Sequence, residues 1–278
     1  MVISKPFDIG PKFASAERSV SAIRAGSRIY IGTGCAAPRS LIAALETMEP
    51  GPADLEFVSF LTTSALPQVE GASRTHYRHR AFFVGSEIVG LVTSGQLDYV
   101  PISLEEVPRL LTSGRLRVDV ALLQVSPPDA RGFVSLGVSV DLAPAILSVV
   151  RTAIAEVNPA MPRTHGKSLV HLDSFDALVK VDAPVAEYVH PEIGEVAERV
   201  ARYIASIIDD GSTLQIGLGR VPNEALRYLK DRRDLGIHSD VITDAVVDLV
   251  EAGVVTGRRK SRKRDRNVCG SPHAHKAQ

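Results

Sequence analysis

Gly26-Ser27-Arg28-Ile29-Tyr30-Ile31-Gly32-Thr33-Gly34 recurs as Gly211-Ser212-Thr213-Leu214-Gln215-Ile216-Gly217-Leu218-Gly219, 185 positions further on. Each copy is followed by a proline that opens a helix-period segment, PRSLIAAL from Pro38 and PNEALRYL from Pro222. Each is preceded by Ala-Glu-Arg, at Ala16–Arg18 and Ala197–Arg199. Helix, apolar strand, Gly-x-Gly turn and helix are therefore written twice, which predicts two related α/β domains. The helix copies lie 181 positions apart, so the second helix-to-strand connection is longer by four residues, about one helical turn. Chance is the competing explanation, since any helix–strand–helix unit can drift to this pattern.

Outward from the echo, short β-rich runs alternate with helix-period segments. Strands are expected at Ser27–Ile31, Leu55–Leu61, Ala81–Val84, Val118–Val125, Thr152–Val157, Ser168–Leu172 and Thr213–Ile216. Helices are expected at Pro38–Met48, Leu104–Leu111, Asp141–Val150, Gly194–Ile208, Pro222–Lys230 and Val241–Glu251. Val118–Val125 is nearly unbroken in apolar residues, as a strand buried on both faces would be. The expected fold is α/β, with two similar, open, mostly parallel domains. They would be 1–187, then 188–257 as the first part of a second domain, then 258–278 as a basic, disordered tail. Only 67 residues follow Gly211, so the second domain reads as incomplete.

The 278 residues are 45% hydrophobic and 23% charged, which excludes disordered, collagenous and coiled-coil classes. No run approaches the ~18 apolar residues of a membrane span. Met1–Lys12 has neither an apolar signal core nor an Arg-rich amphipathic pattern, which argues for a cytoplasmic location. Cys35 and Cys269 are too few for a disulfide framework. The net charge of zero hides an asymmetry. Residues 257–278 carry eight basic side chains against Asp265 alone, a net +7, and the preceding residues carry −7. The tail lacks aromatic interleaving and a motif fold, so no specific nucleic acid is expected.

Several residues could carry chemistry. Gly217, Leu218, Gly219, Arg220 and Val221 stand between a strand and a helix N-terminus, where backbone N–H groups can approach a phosphate or an oxyanion. A plain tight turn accounts for the same pattern, and Gly32-Thr33-Gly34 has the same two readings. His238-Ser239-Asp240 is expected at a strand-to-helix turn. There Asp240 could serve as a nucleophile at the C-terminal end of the sheet, or cap the helix, as Thr243 could. The loop from Ser126 to Gly132 reads as a substrate loop or a Pro/Gly turn. Cys35 reads as a thiolate or as a small packed residue. His165, His171 and His190 have no metal-ligand spacing, so no metal is assigned.

Gly32–Leu45 (GTGCAAPRSLIAAL), Leu97–Pro101 (LDYVP), Asp119–Gly137 (DVALLQVSPPDARGFVSLG), Glu156–Gly166 (EVNPAMPRTHG), Asp210–Leu226 (DGSTLQIGLGRVPNEAL) and Leu235–Gly257 (LGIHSDVITDAVVDLVEAGVVTG) come in a telling order. Together they resemble the acetyl-CoA hydrolase/transferase family of class I coenzyme A transferases, nearest its 4-hydroxybutyrate, butyrate and acetate members. The resemblance implies two similar open α/β domains with the active site in the cleft between them. It implies transfer of coenzyme A from an acyl-CoA to a free carboxylate, within acetate and acetyl-CoA metabolism. Coenzyme A would enter as a thioester substrate, with no permanently bound cofactor.

By the same resemblance, Asp240 stands where the family motif has a glutamate that attacks the thioester, and Gly217–Val221 would cradle coenzyme A. Two departures are visible. The carboxyl arm at position 240 is shorter by one C–C bond, about 1.5 Å. The family's later glycine-rich CoA-binding segment has no counterpart beyond Gly257, so a C-terminally truncated chain is expected. The rival expectations are an acyl-CoA hydrolase and an inactive remnant. Acyl-CoA and a small carboxylate are the expected partners, with no membrane, and a homodimer is compatible with the chain.

Overall fold

A computed structural model gives the fold and describes residues 12–49, 51–61, 77–85, 88–188 and 193–273. The chain divides into two compact units, Met1–Ala186 and Glu187–Gln278. The first contains α1 (Ala16–Val20), β1 (Arg28–Ile31), α2 (Arg39–Thr47), β2 (Glu56–Ser59), β3 (Arg78–Ala81), α3 (Val89–Thr93), β4 (Leu97–Tyr99), α4 (Val107–Thr112), β5 (Val120–Val125), β6 (Phe133–Ser135), α5 (Ala143–Leu147), β7 (Thr152–Val157), β8 (Leu169–His171) and β9 (Ala177–Lys180).

Seven strands form one parallel sheet in the order β4-β3-β2-β1-β5-β7-β9. Every residue of β5 is buried. Alternation divides the core between the two faces. Ile29, Ile31, Leu122 and Ile154 pack with Leu41 and Leu45 of α2, while Tyr30, Ala121, Leu123 and Ala155 pack with Ile146 and Phe175. A parallel sheet covered on both faces is the outcome expected for strands joined by helical crossovers. The order reverses between β1 and β5, where open α/β sheets form their ligand crevice.

The second unit contains α6 (Glu195–Ser206), β10 (Thr213–Leu214), α7 (Arg220–Arg227), β11 (Gly236–Thr243), α8 (Asp244–Glu251) and β12 (Val268–His273). Its strands are parallel in the order β10-β11-β12. Ile216, Leu226, Leu229, Ile237, Val246 and Leu249 form its core. Both copies of the echo give the same local order of helix, strand and helix. Gly26 (φ 75°) and Gly211 (φ 79°) both enter their strands through a left-handed turn, a conformation costly for residues with a Cβ.

Three expectations need correction, and a fourth gains a detail. The helix expected from Val241 begins at Asp244, because β11 runs on through Val241-Ile242-Thr243, a β-branched run suited to a strand. The strand expected at Ala81–Val84 lies earlier, at Arg78–Ala81. Its polar residues are held beside β2 by Arg78–Asp54 and Arg80–Glu56 ion pairs, each 3.0 Å, and by stacking of His79 on Phe57. The strand expected at Ser168–Leu172 is present as β8, and it pairs antiparallel with β6 outside the main sheet. The tail expected to be disordered contains β12 within its described part. Two contacts order it. The open edge of β11 accepts a strand, and buried Lys260 donates from Nζ to the carbonyls of Ile237 (2.6 Å) and Arg266 (2.7 Å).

Candidate functional site

The central strand of the second unit carries Asp240. Along β11, Ile237, Ser239, Val241 and Thr243 are buried, while His238 and Asp240 are exposed on the opposite face. Asp240 is therefore inside a strand and not at a strand-to-helix turn, so it caps no helix. Thr243 is the residue before α8, but its hydroxyl donates to Asn223 Oδ1 at 2.7 Å and makes no cap bond. Among the described residues the Asp240 carboxylate has no hydrogen-bond or ion-pair partner. Its backbone carbonyl accepts the Cys269 thiol at 3.3 Å.

Ser239 links this strand to the glycine loop. Its hydroxyl accepts the Ile216 N–H at 2.9 Å and donates to the Ile216 carbonyl at 2.8 Å. The β10–β11 ladder ends at Leu214↔Ile237, so this side chain continues the pairing where the backbone stops. Gly217 follows directly. The loop and Asp240 thus follow the last β10–β11 pair on adjacent parallel strands. Gly219 (φ 150°) precedes α7, which begins at Arg220, two residues before the expected Pro222 start. The first-turn N–H groups of a helix have no intrahelical acceptor, and Pro222 contributes none, so this end favours an anion.

The first unit holds a polar cluster at its own strand-order reversal, one that residue periodicity scarcely signals. The Tyr30 hydroxyl lies 2.8 Å from Thr33 Oγ1 and 3.3 Å from Asp141 Oδ1. Complete burial and the Asp141 charge push the Tyr30 phenol well above its ordinary value. The Ser139 hydroxyl donates to the Thr33 carbonyl at 2.9 Å, fixing the Gly32 loop from below. Next to it, buried Glu156 accepts the Leu41 N–H at 2.8 Å and the Gln124 amide at 3.3 Å. Glu156 is the carboxyl partner of the α2 N-terminus, which Pro38 cannot cap. Burial raises its carboxyl above the usual range, against the lowering effect of these donors. The one available sequence signal was a Gln and a Glu inside apolar strand runs.

Other candidates resolve structurally. The Asp129 carboxylate accepts the N–H groups of Arg131 and Phe133, each at 2.9 Å, and the Arg163 guanidinium at 3.0 Å. The Ser126–Gly132 loop is therefore a closed turn, and the Phe133 amide leads in lowering the Asp129 pKa. Cys35 is buried in a short 3-10 turn ahead of α2. His165 is exposed, and His171 lies edge-on to Phe133 and 3.1 Å from Asp173. His190 lies outside the described residues. Among the described residues no group of three or more His, Cys, Asp or Glu is arranged to hold a metal, and no helix is long and apolar enough to cross a membrane.

Residues 8–191 match the family model described as the acetyl-CoA hydrolase/transferase N-terminal domain. The chain is 39% identical over 250 residues to the 4-hydroxybutyrate coenzyme A transferase of Clostridium kluyveri, an alignment covering 90% of this chain and 58% of the relative. Its fold is similar to that of RipA from Yersinia pestis (TM-score 0.85, 31% identity, 95% of this chain and 64% of that one). It is also similar to a 4-hydroxybutyrate CoA-transferase from Porphyromonas gingivalis (TM-score 0.77, 27% identity, 95% and 62%). The chain thus spans less than two thirds of the length of each of these relatives.

Proposed function

Because the chain belongs to the acetyl-CoA hydrolase/transferase family, we propose that it transfers coenzyme A between an acyl-CoA and a free carboxylate. Asp240 is the nucleophile, and the Gly217–Val221 loop is the cradle for coenzyme A and for the oxyanion. The observation that carries this reading is the bond between Ser239 and Ile216, which ties the strand of an exposed carboxylate to the base of a glycine loop. The acyl groups considered are acetyl, butyryl and 4-hydroxybutyryl. The 4-hydroxybutyryl member of this range takes its support from the C. kluyveri relative.

The proposed steps follow from covalent catalysis, which divides one exchange between poor partners into easier ones. The Asp240 carboxylate attacks the thioester carbonyl, and coenzyme A leaves as a thiolate. That thiolate attacks the Asp240 carbonyl of the anhydride, releasing the first carboxylate and leaving an enzyme–CoA thioester. The acceptor carboxylate attacks this thioester, expels the thiolate and forms a new anhydride. The thiolate then takes the acyl group and frees Asp240. At each tetrahedral stage, backbone N–H groups at the start of α7 would face the developing oxyanion. Turnover with labelled acetyl-CoA and butyrate, quenched with borohydride or hydroxylamine, should leave a modification at Asp240. A quenched enzyme with Asp240 unmodified rejects the assignment.

A second reading, acyl-CoA hydrolysis, is favoured by one observation. The short carboxyl arm stands on an exposed strand face, with no hydrogen-bond or ion-pair partner among the described residues. CoA release measured with and without an acceptor carboxylate separates the two, since hydrolysis requires no acceptor.

A further inference from the structure

The first unit has a second concave region, at the opposite end of its sheet from the Gly32 loop. It lies where β3, β2, β1, β5 and β7 begin, and its volume is about 850 Å³. That volume is within the range of small-molecule sites, but the walls are charged. Five arginines line it, and three of them are already matched by acids. Arg28 Nε is 2.5 Å from Glu56, Arg78 is 3.0 Å from Asp54, and Arg117 is 3.0 Å from Asp119. Glu56 also holds Arg80 at 3.0 Å, and Asp119 also accepts the Arg28 N–H at 3.1 Å.

Arg24 and Arg151 are the two left over. Both are exposed, and neither guanidinium has a carboxylate partner among the described residues. Both sit on anchored backbone. The Arg24 carbonyl accepts the Ser27 N–H at 3.2 Å, and the Arg151 N–H donates to the Asp119 carbonyl at 3.1 Å. The cavity wall thus carries two more cations than anions, on turns fixed to neighbouring strands.

We propose that this cavity binds a small polyanion of the phosphate-ester or pyrophosphate class, held between Arg24 and Arg151. A guanidinium offers a planar fork of donors that matches phosphate oxygens two at a time. Two unmatched cations call for more than one negative charge, which a simple carboxylate lacks. A concavity of about 850 Å³ suits a compact ligand better than an extended nucleic-acid backbone. The site is independent of coenzyme A transfer.

Calorimetric titration of the full chain with pyrophosphate at low ionic strength tests it. One equivalent should bind, and Arg24→Ala combined with Arg151→Ala should weaken binding by about tenfold or more, as expected for losing charge-assisted bonds. Both side chains are exposed, so circular dichroism should be unchanged. Arginine modification by phenylglyoxal, mapped by mass spectrometry, should be blocked by pyrophosphate at Arg24 and Arg151. Protection at Arg220 in their place would locate the ligand in the glycine loop and overturn the proposal. It is equally overturned by absent binding heat, or by a single-stranded oligonucleotide that binds more tightly than pyrophosphate.

Discussion

At the scale of single residues, the arm length at position 240 carries the most consequence. An offset of ~1 Å in a reacting group can cost on the order of 10²-fold in rate. Asp240→Glu restores about 1.5 Å of reach. It should therefore raise the ratio of transfer to hydrolysis by about tenfold or more. The check is CoA release and acyl transfer measured together, and an unchanged ratio removes the arm-length account. His79 makes a second residue-scale prediction. Burial against Phe57 lowers its pKa to about 4, whereas an unfolded histidine takes its proton near 6.5. Between these values the unfolded chain binds the extra proton. Stability is therefore full above about pH 6.5 and is lost as pH falls toward 4, by about 1–3 kcal/mol. Urea unfolding at pH 7 and pH 5 should show this loss, and His79→Gln should remove most of it. An equal loss in the variant would place the pH dependence elsewhere.

At the scale of elements, α2 illustrates a cap supplied from across the fold. Glu156 reaches from β7 to the Leu41 N–H, since the residue before the helix is Pro38. Glu156→Leu would orphan these donors in a buried setting and should cost about 1–3 kcal/mol. Glu156→Gln keeps an acceptor and should cost less. Denaturant midpoints of the two variants provide the comparison, and equal losses would deny the capping role. Elements differ in how openly the sequence announced them. β5 and β7 were legible because unbroken apolar runs have one good solution in a covered parallel sheet. β3 was hidden because Arg78-His79-Arg80 earns its place through ion pairs and stacking, which no periodicity records. The end of β11 is hidden because helix periodicity over 241–251 competes with the β-branched residues at its start. β12 was invisible because its partner is an edge 30 residues away.

At the scale of the molecule, the two units own separate cores. Among the described residues, none from the clusters around β5 appears in the cluster around β11. Leu122→Ala and Ile237→Ala should each destabilise their own unit by about 2–5 kcal/mol. Hydrogen exchange should then quicken in β5 and β7 for the first variant and in β10 and β11 for the second. Equal responses in both units would mean that they unfold as one body. The sequence alone determined the α/β class, the repeated helix–strand–helix unit, the glycine loop and the acid at position 240. Such features depend on apolar periodicity and local turn chemistry, which neighbouring residues specify. Tertiary structure alone decided that Asp240 rides mid-strand on an exposed face, that Ser239 bonds its strand to the loop base, and that Glu156 caps α2. It also decided which arginines remain unmatched. Those outcomes depend on partners from 20 to more than 100 positions away, and only the packed chain selects them.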